Sequence, residues 1–421
     1  MSLFPSRAEL RTYLAWPRTD LTAGLTVALV ALPLALAFGV ASGLGAKAGI
    51  TTAVVAGAIA AIFGGSRFQV SGPTGAMTVV LIPIFAAHGQ GGVLLVGLIA
   101  GVFLALAGLL RLGHHVHKLP TALIEGFTAG IALVISLQQV PTALGVKGSG
   151  ESLLARAFEA ILQWAQNPNW GVLALSSLTT LSLIWGGHRW PRLPLSLLAV
   201  VLGTVASQML GLRPQTIGAL PASVGDWDLG FLGELDKIWI LIIPGLTVAA
   251  LAALESLLSA KVADHLRADG TSHNSDRELL GQGLANLVVP FLGGVPATAA
   301  LARTAVNVRS GANSRLAAVS HALILAVLVL TLAPLVSLIP LAVLAGVLIA
   351  TASHMVKFSE LAKTIRSSRL DALIFWVTLI ATVLTDLTTA VILGGVIWLA
   401  LRKSRLSVVE PVIDEDETLG D

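Results

Sequence analysis

The chain of 421 residues has no cysteine, one tyrosine and few charged residues. Without cysteine it forms no disulfide, no thiolate metal site and no cysteine nucleophile. Charged residues make up 12% of the chain, about half the share in an ordinary soluble domain. The net charge of +3 does not indicate a nucleic-acid-binding surface. No hydrolase elbow, phosphate-binding loop or zinc motif is present, so we expect neither an enzyme nor a cofactor.

Apolar residues and glycine dominate the composition instead. Hydrophobic residues make up 55% of the chain, the mean hydropathy is +0.86, and 42 residues are glycine. Small residues let transmembrane helices approach each other closely. The composition therefore predicts an all-α, polytopic membrane protein that is surrounded by lipid.

Fourteen apolar segments follow one another along the sequence. Several are shorter than the roughly 20 residues that a straight span needs, or are interrupted by glycine and proline. A further stretch, 151–167, predicts an amphipathic helix on the outer surface. The segments lie near 20–43, 47–64, 68–87, 91–112, 119–141, 169–187, 193–211, 237–260, 278–292, 296–309, 314–335, 338–355, 370–386 and 387–402.

The distribution of lysine and arginine predicts the orientation of these segments. With both termini in the cytoplasm, 20 of the 26 basic residues fall in inner loops and tails and five in outer loops. Positive residues are enriched on the cytoplasmic side of membrane proteins. The last one, Arg303, lies inside a membrane segment.

An internal repeat relates the two halves of the chain. GLTVA occurs at 24–28 and at 245–249, and a double glycine precedes both the third and the tenth segment. Seven segments separate equivalent positions, and because seven is odd the two halves must be inverted in the membrane. Inverted repeats with broken helices are typical of secondary transporters.

Five stretches in order resemble the SulP-type anion permeases, the sulfate permease and prestin family, over about 20–402. They are FQVSGPTGAMTVV, PTALIEGFTAGIAL, ALESLLSAKVAD, ELLGQGLANLVVPFLGGVPATAALARTAVNVRSGA and PLAVLAGVLIATASHM. The resemblance implies a bacterial-type membrane domain with a UraA-like fold and a homodimer. Family members usually end in a cytoplasmic STAS domain. Only a charged tail follows residue 402, so we expect that domain to be absent.

The third and tenth segments carry the predicted anion site. In each, a short extended stretch, Phe68–Ser71 or Ala297–Ala300, precedes a half-helix rich in small residues. Helix N-termini at membrane depth offer free backbone N–H groups and a positive dipole end to an anion. We expect the two N-termini to face each other, and the predicted substrate-binding residues there are Thr74, Gly75, Ala76, Ala300, Leu301, Ala302 and Arg303.

Arg303 is the costly residue of this region, because an arginine inside a membrane segment is rarely without a role. Aligning the two double glycines places it opposite Thr74. The resemblance implies that family members carry a basic residue here, close to the bound anion. An ion pair with an acid and a side chain directed towards the interface are the alternatives.

Glu255 lies in the middle of the eighth segment, where the first half of the repeat has Leu34. A carboxylate among apolar groups can bind and release a proton, and with Ser259 one turn later it could hold Na⁺ through oxygen ligands. The resemblance implies that this acid couples cation movement to anion movement, by H⁺ or less readily Na⁺. A static ion pair with Arg303, or a capping role, is the alternative.

Leu34 and Phe38 would line the cavity by family resemblance. Because Leu34, Ala300 and Ala302 offer no side-chain donors, the site suits a carboxylate with an apolar body better than sulfate.

Several other polar residues have structural explanations. We expect Gln69 to be a packing residue, Glu125 to be a structural acid near the inner interface, and Gln282 and Asn286 to form hydrogen bonds between helices. Asp386 is expected in a turn. The loop histidines His114, His115 and His117 lack acidic neighbours and favour solvent exposure over metal binding.

The leading hypothesis is a secondary-active anion transporter that works by alternating access, for a dicarboxylate such as fumarate, for bicarbonate or for sulfate. A core domain (20–112 and 237–335) would move against a gate domain (119–211 and 338–402), between an N-terminal segment (1–19) and a tail (403–421). A nucleobase–cation symporter of the same fold would need side-chain hydrogen bonds to a neutral ring. An uncoupled anion channel or exchanger would not need Glu255.

Overall fold

The computed structural model describes residues 15–113, 121–150, 152–190, 193–218, 223–267, 272–356, 358–385, 389–390, 393–397 and 400. Within these residues the fold is helical except for two short strands. The predicted histidine cluster at 114–117 and Asp386 lie outside the described residues.

The first half of the repeat begins with a helix that starts at a proline. They are α1 (Pro17–Ala41), α2 (Ala46–Thr51), a π-helical turn (Thr52–Ala56), α3 (Gly57–Phe63), α4 (Gly75–Leu109), α5 (Thr121–Leu144), α6 (Leu153–Gln166), α7 (Trp170–Arg189) and α8 (Leu195–Met209).

The second half opens with a 3₁₀ turn and contains the second break. Its elements are the 3₁₀ turn Gly230–Lys237, α9 (Ile238–Arg267), α10 (Ser275–Val288), the 3₁₀ turn Val289–Leu292, α11 (Leu301–Arg309), α12 (Leu316–Val336), α13 (Leu341–Met355), α14 (Phe358–Ser367) and α15 (Arg369–Leu384). The strands are β1 (Ser71–Gly72) and β2 (Thr298–Ala299).

Seven helical stretches of the described residues are long and apolar enough to cross a membrane, and two more apolar helices, α8 and α13, are shorter. The structure therefore supports a multi-pass protein but does not confirm the count of fourteen. The predicted third and fourth segments run through α4, whose backbone leaves helical geometry at Gly89 (φ 63°, ψ −162°). Residues 151–167 largely form α6, as the amphipathic pattern predicts.

The chain divides into two compact units. The larger contains residues 1–118 and 131–356, and the smaller contains 119–130 and 357–421. In the smaller unit, Ala122 and Leu123 of α5 pack against Ile374 of α15. Both strands and α9 to α12 belong to the larger unit, which therefore holds the predicted anion site.

Small residues bring the helices of the larger unit close together. α4 packs against α9 and α10. A Cβ added at Gly101 of α4 would lie 2.6 Å from the backbone nitrogen of Leu287, and one at Gly283 of α10 would lie 2.4 Å from the nitrogen of Ala105. The α4–α10 contact thus depends on the absence of side chains at these positions, as in other close transmembrane pairs.

Hydrogen bonds hold loops of the larger unit to its helices. Asp20 of α1 is buried and accepts hydrogen bonds from the backbone nitrogens of Asn313 (2.6 Å) and Ser314 (3.2 Å), which joins α1 to the start of α12. In the loop before α9, hydrogen bonds from Lys47 and Ser223 hold the pKa of Asp226 below its usual range. These contacts join α1 to the residues before α12, and α2 to the loop before α9.

Candidate functional site

The two broken segments meet in a two-residue antiparallel ladder. Ser71 pairs with Ala299, and Gly72 pairs with Thr298. The backbone nitrogen of Ala300 also donates to the carbonyl oxygen of Val70 at 3.0 Å. Each strand leads directly into a helix, α4 after β1 and α11 after β2. The crossing brings together the starts of the two predicted half-helices, within a few residues of the predicted positions.

The two helix starts differ in how they are capped. The Thr74 hydroxyl accepts a hydrogen bond from the backbone nitrogen of Met77 (3.4 Å), so α4 is capped. Ala300 precedes α11 and offers no side-chain cap. The first N–H groups of a helix have no partner within the helix. Those of α11 are accordingly available to an anion, next to the exposed side chains of Leu301 and Ala302.

Arg303 lies on the opposite side of α11 from this exposed pair. Its side chain is buried, and its Nη2 donates to the carbonyl oxygen of Pro73 at 2.8 Å. Its Nη1 has no hydrogen-bond partner in the described part of the chain. A Cβ at Gly72 would lie 2.6 Å from this nitrogen. Arg303 therefore joins the second half-helix to the chain just before the first and keeps one donor uncommitted.

Glu255 of α9 is half-buried beside the first half-helix. Its Oε2 accepts a hydrogen bond from the Thr74 hydroxyl at 3.0 Å. Glu255 and Arg303, both among the described residues, form no ion pair with each other. The structure thus joins Glu255 to the predicted anion site through Thr74 and does not show the alternative of a static ion pair.

Ser259 has a different partner from Glu255. Its hydroxyl is buried and donates to the Thr304 hydroxyl at 3.0 Å, and Thr304 accepts from the backbone nitrogen of Val70 at 3.1 Å. Of the two predicted cation ligands, Glu255 is thus bonded to the residue that caps α4, and Ser259 to a residue of α11. No cluster of three or more metal-binding side chains occurs among the residues that the structure describes.

The remaining predicted lining residues lie on α1 and at the start of α4. Leu34 and Phe38 of α1 are buried. A Cβ at Gly75 would lie 3.2 Å from the Phe38 ring and 2.5 Å from Ile135, so the absence of a side chain at Gly75 permits this packing. Ala76 is buried. The Phe38 ring therefore packs against the first residue of α4.

Helix α10 supports the extended residues at both breaks. The sequence did not predict this role. The Glu278 carboxylate accepts from the backbone nitrogens of Gly65 (2.9 Å) and Ser66 (3.0 Å), before β1. Gln282 donates to the Ser71 hydroxyl at 2.7 Å. Asn286 donates to the carbonyl oxygen of Ala297 at 2.9 Å and accepts from its nitrogen at 2.8 Å.

Gln282 and Asn286 were expected to bond between helices, and instead they bond to the extended residues. Their spacing of four along the predicted ninth segment, with Glu278 four residues earlier, is the signal that could have identified a polar face. The helix pattern alone does not identify the partners, which lie beyond the helix.

Gln69 agrees with the predicted packing role. Gln69 is buried and donates from its amide to the backbone carbonyl of Ser256. Ser256 in turn bonds to Thr298 (2.9 Å) and accepts from the nitrogen of Ala299 (3.2 Å), which fixes β2 to α9. Glu125 is half-buried in α5 of the smaller unit, and its structural role stays a prediction.

Comparison with known proteins agrees with this architecture. The sequence model of the Sulfate permease family matches residues 18–378. The putative sulfate transporter YvdB of Bacillus subtilis is 37% identical over 382 residues, 89% of this chain and 71% of YvdB. The bicarbonate transporter BicA of Picosynechococcus is 35% identical over 425 residues, 96% of this chain and 74% of BicA.

Two solved structures share the fold. The transmembrane domain of a cyanobacterial bicarbonate transporter BicA superposes with a TM-score of 0.80 at 33% identity, covering 89% of this chain and 97% of that domain. SLC26A9 gives a TM-score of 0.84 at 17% identity, with 96% of this chain and 68% of SLC26A9 covered, which shows the fold alone. The predicted UraA-like membrane fold is confirmed, and the relatives are transporters rather than enzymes.

Proposed function

Because the chain belongs to the sulfate permease family, we propose that this multi-pass anion transporter is secondary-active and works by alternating access. The observation that supports the proposal is the β1–β2 crossing, where an uncapped helix start and an arginine with an uncommitted Nη1 lie together. Backbone dipoles and one fixed positive charge attract an anion.

The proposed substrate is a small anion that carries a carboxylate or carbonate group. Ala300, Leu301 and Ala302 at the start of α11 provide backbone N–H groups but no side-chain donors. Sulfate has four oxygens that need hydrogen-bond donors. The carbonate group of bicarbonate has three oxygens, and each carboxylate of fumarate has two, so each of these groups needs fewer donors. The bicarbonate transporter BicA is among the relatives, as is a putative sulfate transporter, so all three anions are to be tested.

We propose that Glu255 carries the coupling proton. The carboxyl group is half-buried and is bonded to Thr74, the cap of α4. A proton from water binds the carboxylate when the site is open to one side, and it leaves when the site is open to the other. Na⁺ is the alternative coupling ion and would require Ser259 to turn away from Thr304.

The proposal places the protein in a bacterial inner membrane with both termini cytoplasmic, as a homodimer. The predicted core and gate segments, 20–112 with 237–335 and 119–211 with 338–402, would be the parts that move. The 20-to-5 distribution of basic residues supports the orientation.

The test is uptake into proteoliposomes that contain the purified chain. Labelled fumarate, bicarbonate and sulfate are offered separately, under an imposed H⁺ gradient, an imposed Na⁺ gradient or none. We expect one anion to accumulate above equilibrium under an H⁺ gradient and a protonophore to abolish the accumulation. Equilibration of all anions at rates that no gradient changes would contradict coupled transport and favour a channel or exchanger.

A further inference from the structure

A basic cavity lies in the larger unit, away from the crossing of the two strands. It has a volume of about 180 Å³ and lies where the turn before β1 meets residues 272–274, just before α10. Its charged walls are Arg67, Arg277, Arg315 and Asp264, with His273 beside the last. By the distribution of basic residues, this end of the unit faces the cytoplasm. The transport site accounts for none of these side chains.

The described lining of the cavity has an excess of positive charge, since three of its residues are arginines and one carries a carboxylate. That carboxylate, Asp264, already accepts hydrogen bonds from His273, through Nδ1 at 2.6 Å and through the backbone nitrogen at 3.0 Å. The Asp264 carboxylate is therefore occupied by His273. A cavity whose described lining carries more positive than negative groups attracts an anion from solution.

Two of the arginines are held in place by backbone carbonyls. Arg315 is buried, and its Nη1 donates to the carbonyl oxygens of Ala61 (3.0 Å) and Ser66 (2.9 Å). The Nε of Arg277 donates to the carbonyl oxygen of Phe63 at 3.2 Å. These bonds occupy carbonyls near the end of α3 and orient the guanidinium groups before any ligand arrives. A guanidinium presents five N–H donors, which suits the oxygens of phosphate.

Arg67 differs from the other two. Its side chain is exposed, and it forms no hydrogen bond or ion pair with any residue that the structure describes. It lies in the turn between the double glycine and β1. Arg67 can therefore approach a ligand in the cavity without breaking an existing contact.

We infer that this cavity is a second anion site that binds a small, doubly charged oxyanion of the phosphate class. One water needs about 10–15 Å³ of such a volume, so a cavity of about 180 Å³ has room for a phosphate group with several waters. The phosphate group comes either from free phosphate or from the headgroup of an anionic lipid. The inference does not depend on the proposed transport function.

The cavity is connected to the first broken segment. Gly65 forms part of its wall, and the Gly65 and Ser66 nitrogens donate to Glu278 of α10. A Cβ at Gly65 would lie 1.9 Å from the carbonyl oxygen of Asn274, so the turn is packed tightly against the start of α10. An anion held between Arg67 and Arg315 bridges both ends of this turn. We expect its binding to restrict the turn and to slow transport.

The test measures binding of inorganic phosphate to the purified full chain in nanodiscs of phosphatidylcholine. Arg67→Gln is the test variant, because Arg67 is exposed and has no contact needed for folding. Arg213→Gln is the matched control, an exposed arginine in another loop. We expect saturable binding that Arg67→Gln weakens about tenfold and that Arg213→Gln leaves unchanged. Both variants should keep the basal uptake measured without phosphate.

A second arm replaces free phosphate with nanodiscs that contain phosphatidic acid. An increase in unfolding temperature that Arg67→Gln abolishes identifies the lipid headgroup as the ligand, and an effect of free phosphate alone identifies the ion. The inference is overturned if neither ligand binds saturably, or if Arg67→Gln binds as the unmodified chain does. The latter result would mean that phosphate enters the transport site instead.

Discussion

The Thr74 hydroxyl lies 3.0 Å from the Glu255 carboxylate and also accepts from the backbone nitrogen of Met77. One side chain thus caps the first half-helix and bonds to the one acid that faces the site from α9. Protonation of Glu255 changes the acceptor that Thr74 donates to. The state of the carboxyl group and the geometry of the α4 start are therefore coupled through a single hydroxyl.

Glu255→Gln should separate anion binding from coupling. Glutamine keeps an oxygen that accepts from Thr74 but cannot exchange a proton. We expect uptake driven by an H⁺ gradient to fall to background, while equilibrium exchange of labelled anion stays within about threefold of the unmodified protein. Both rates are measured in proteoliposomes.

The control for this variant is Glu159→Gln on α6, where the carboxylate bonds to Ser149. It should transport as the unmodified chain does. Gradient-driven accumulation at normal levels in Glu255→Gln would rule out Glu255 as the coupling residue.

Arg303→Ala should weaken anion uptake strongly while the protein stays folded. The change removes the fixed charge of the site and the bond to the Pro73 carbonyl. The loss of a charged hydrogen bond amounts to about 1.5–3 kcal/mol, which is about 10- to 150-fold in affinity. Arg309→Ala, at the exposed end of the same helix, is the matched control. Unchanged substrate affinity in Arg303→Ala, with gel-filtration behaviour intact, would show that Arg303 is structural only.

Gly72→Ala should impair transport through Arg303. The new Cβ would lie 2.6 Å from Arg303 Nη1 and 3.2 Å from the Cα of Ala53, at a residue whose φ of +155° disfavours a side chain. We expect the guanidinium to move and the KM for the anion to rise about tenfold or more. Gly233→Ala is the control, because a Cβ there meets no atom within 4 Å. Uptake kinetics in Gly72→Ala that match those of Gly233→Ala would contradict this arrangement.

Asn286→Ala should destabilise the second break. It leaves the nitrogen and the carbonyl oxygen of Ala297 without their partner inside a buried region, at about 1–3 kcal/mol for each group. We expect a lower unfolding temperature and weaker anion binding, since β2 positions the start of α11. Asn167→Ala, at the exposed end of α6, tests for a general effect of losing an amide. An unfolding temperature equal to that of the control would show that α10 does not support β2.

The pattern of residues predicted much of this fold. The double glycines, the short apolar segments and GLTVA indicated two halves with matching breaks, and the structure has a strand and a helix start at each. Thr74 was singled out because it lies at the start of the first predicted half-helix, and Glu255 because an acid in an apolar segment is costly. The count of fourteen segments stays a prediction, because two of the predicted segments run through the one helix α4 and only the backbone at Gly89 separates them.

Hydrogen-bond partners were not predictable, because they join residues far apart in the chain. Thr74 and Glu255 are 181 positions apart, and Arg303 and Pro73 are 230 apart. The sequence indicated Ser259 as a partner of Glu255 because the two lie one turn apart. The structure instead directs Ser259 to Thr304, which lies 45 positions later in the chain.

The amino-acid sequence by itself determined a membrane protein with paired broken helices, because hydropathy, glycine and proline act over short distances along the chain. Only the tertiary structure decided where each polar group of the site is directed. In the structure Arg303 is buried and donates to the carbonyl oxygen of Pro73. Hydrogen bonds from α10 hold the extended residues at both breaks. Buried polar groups must find partners, and which partners are in reach depends on how the helices pack.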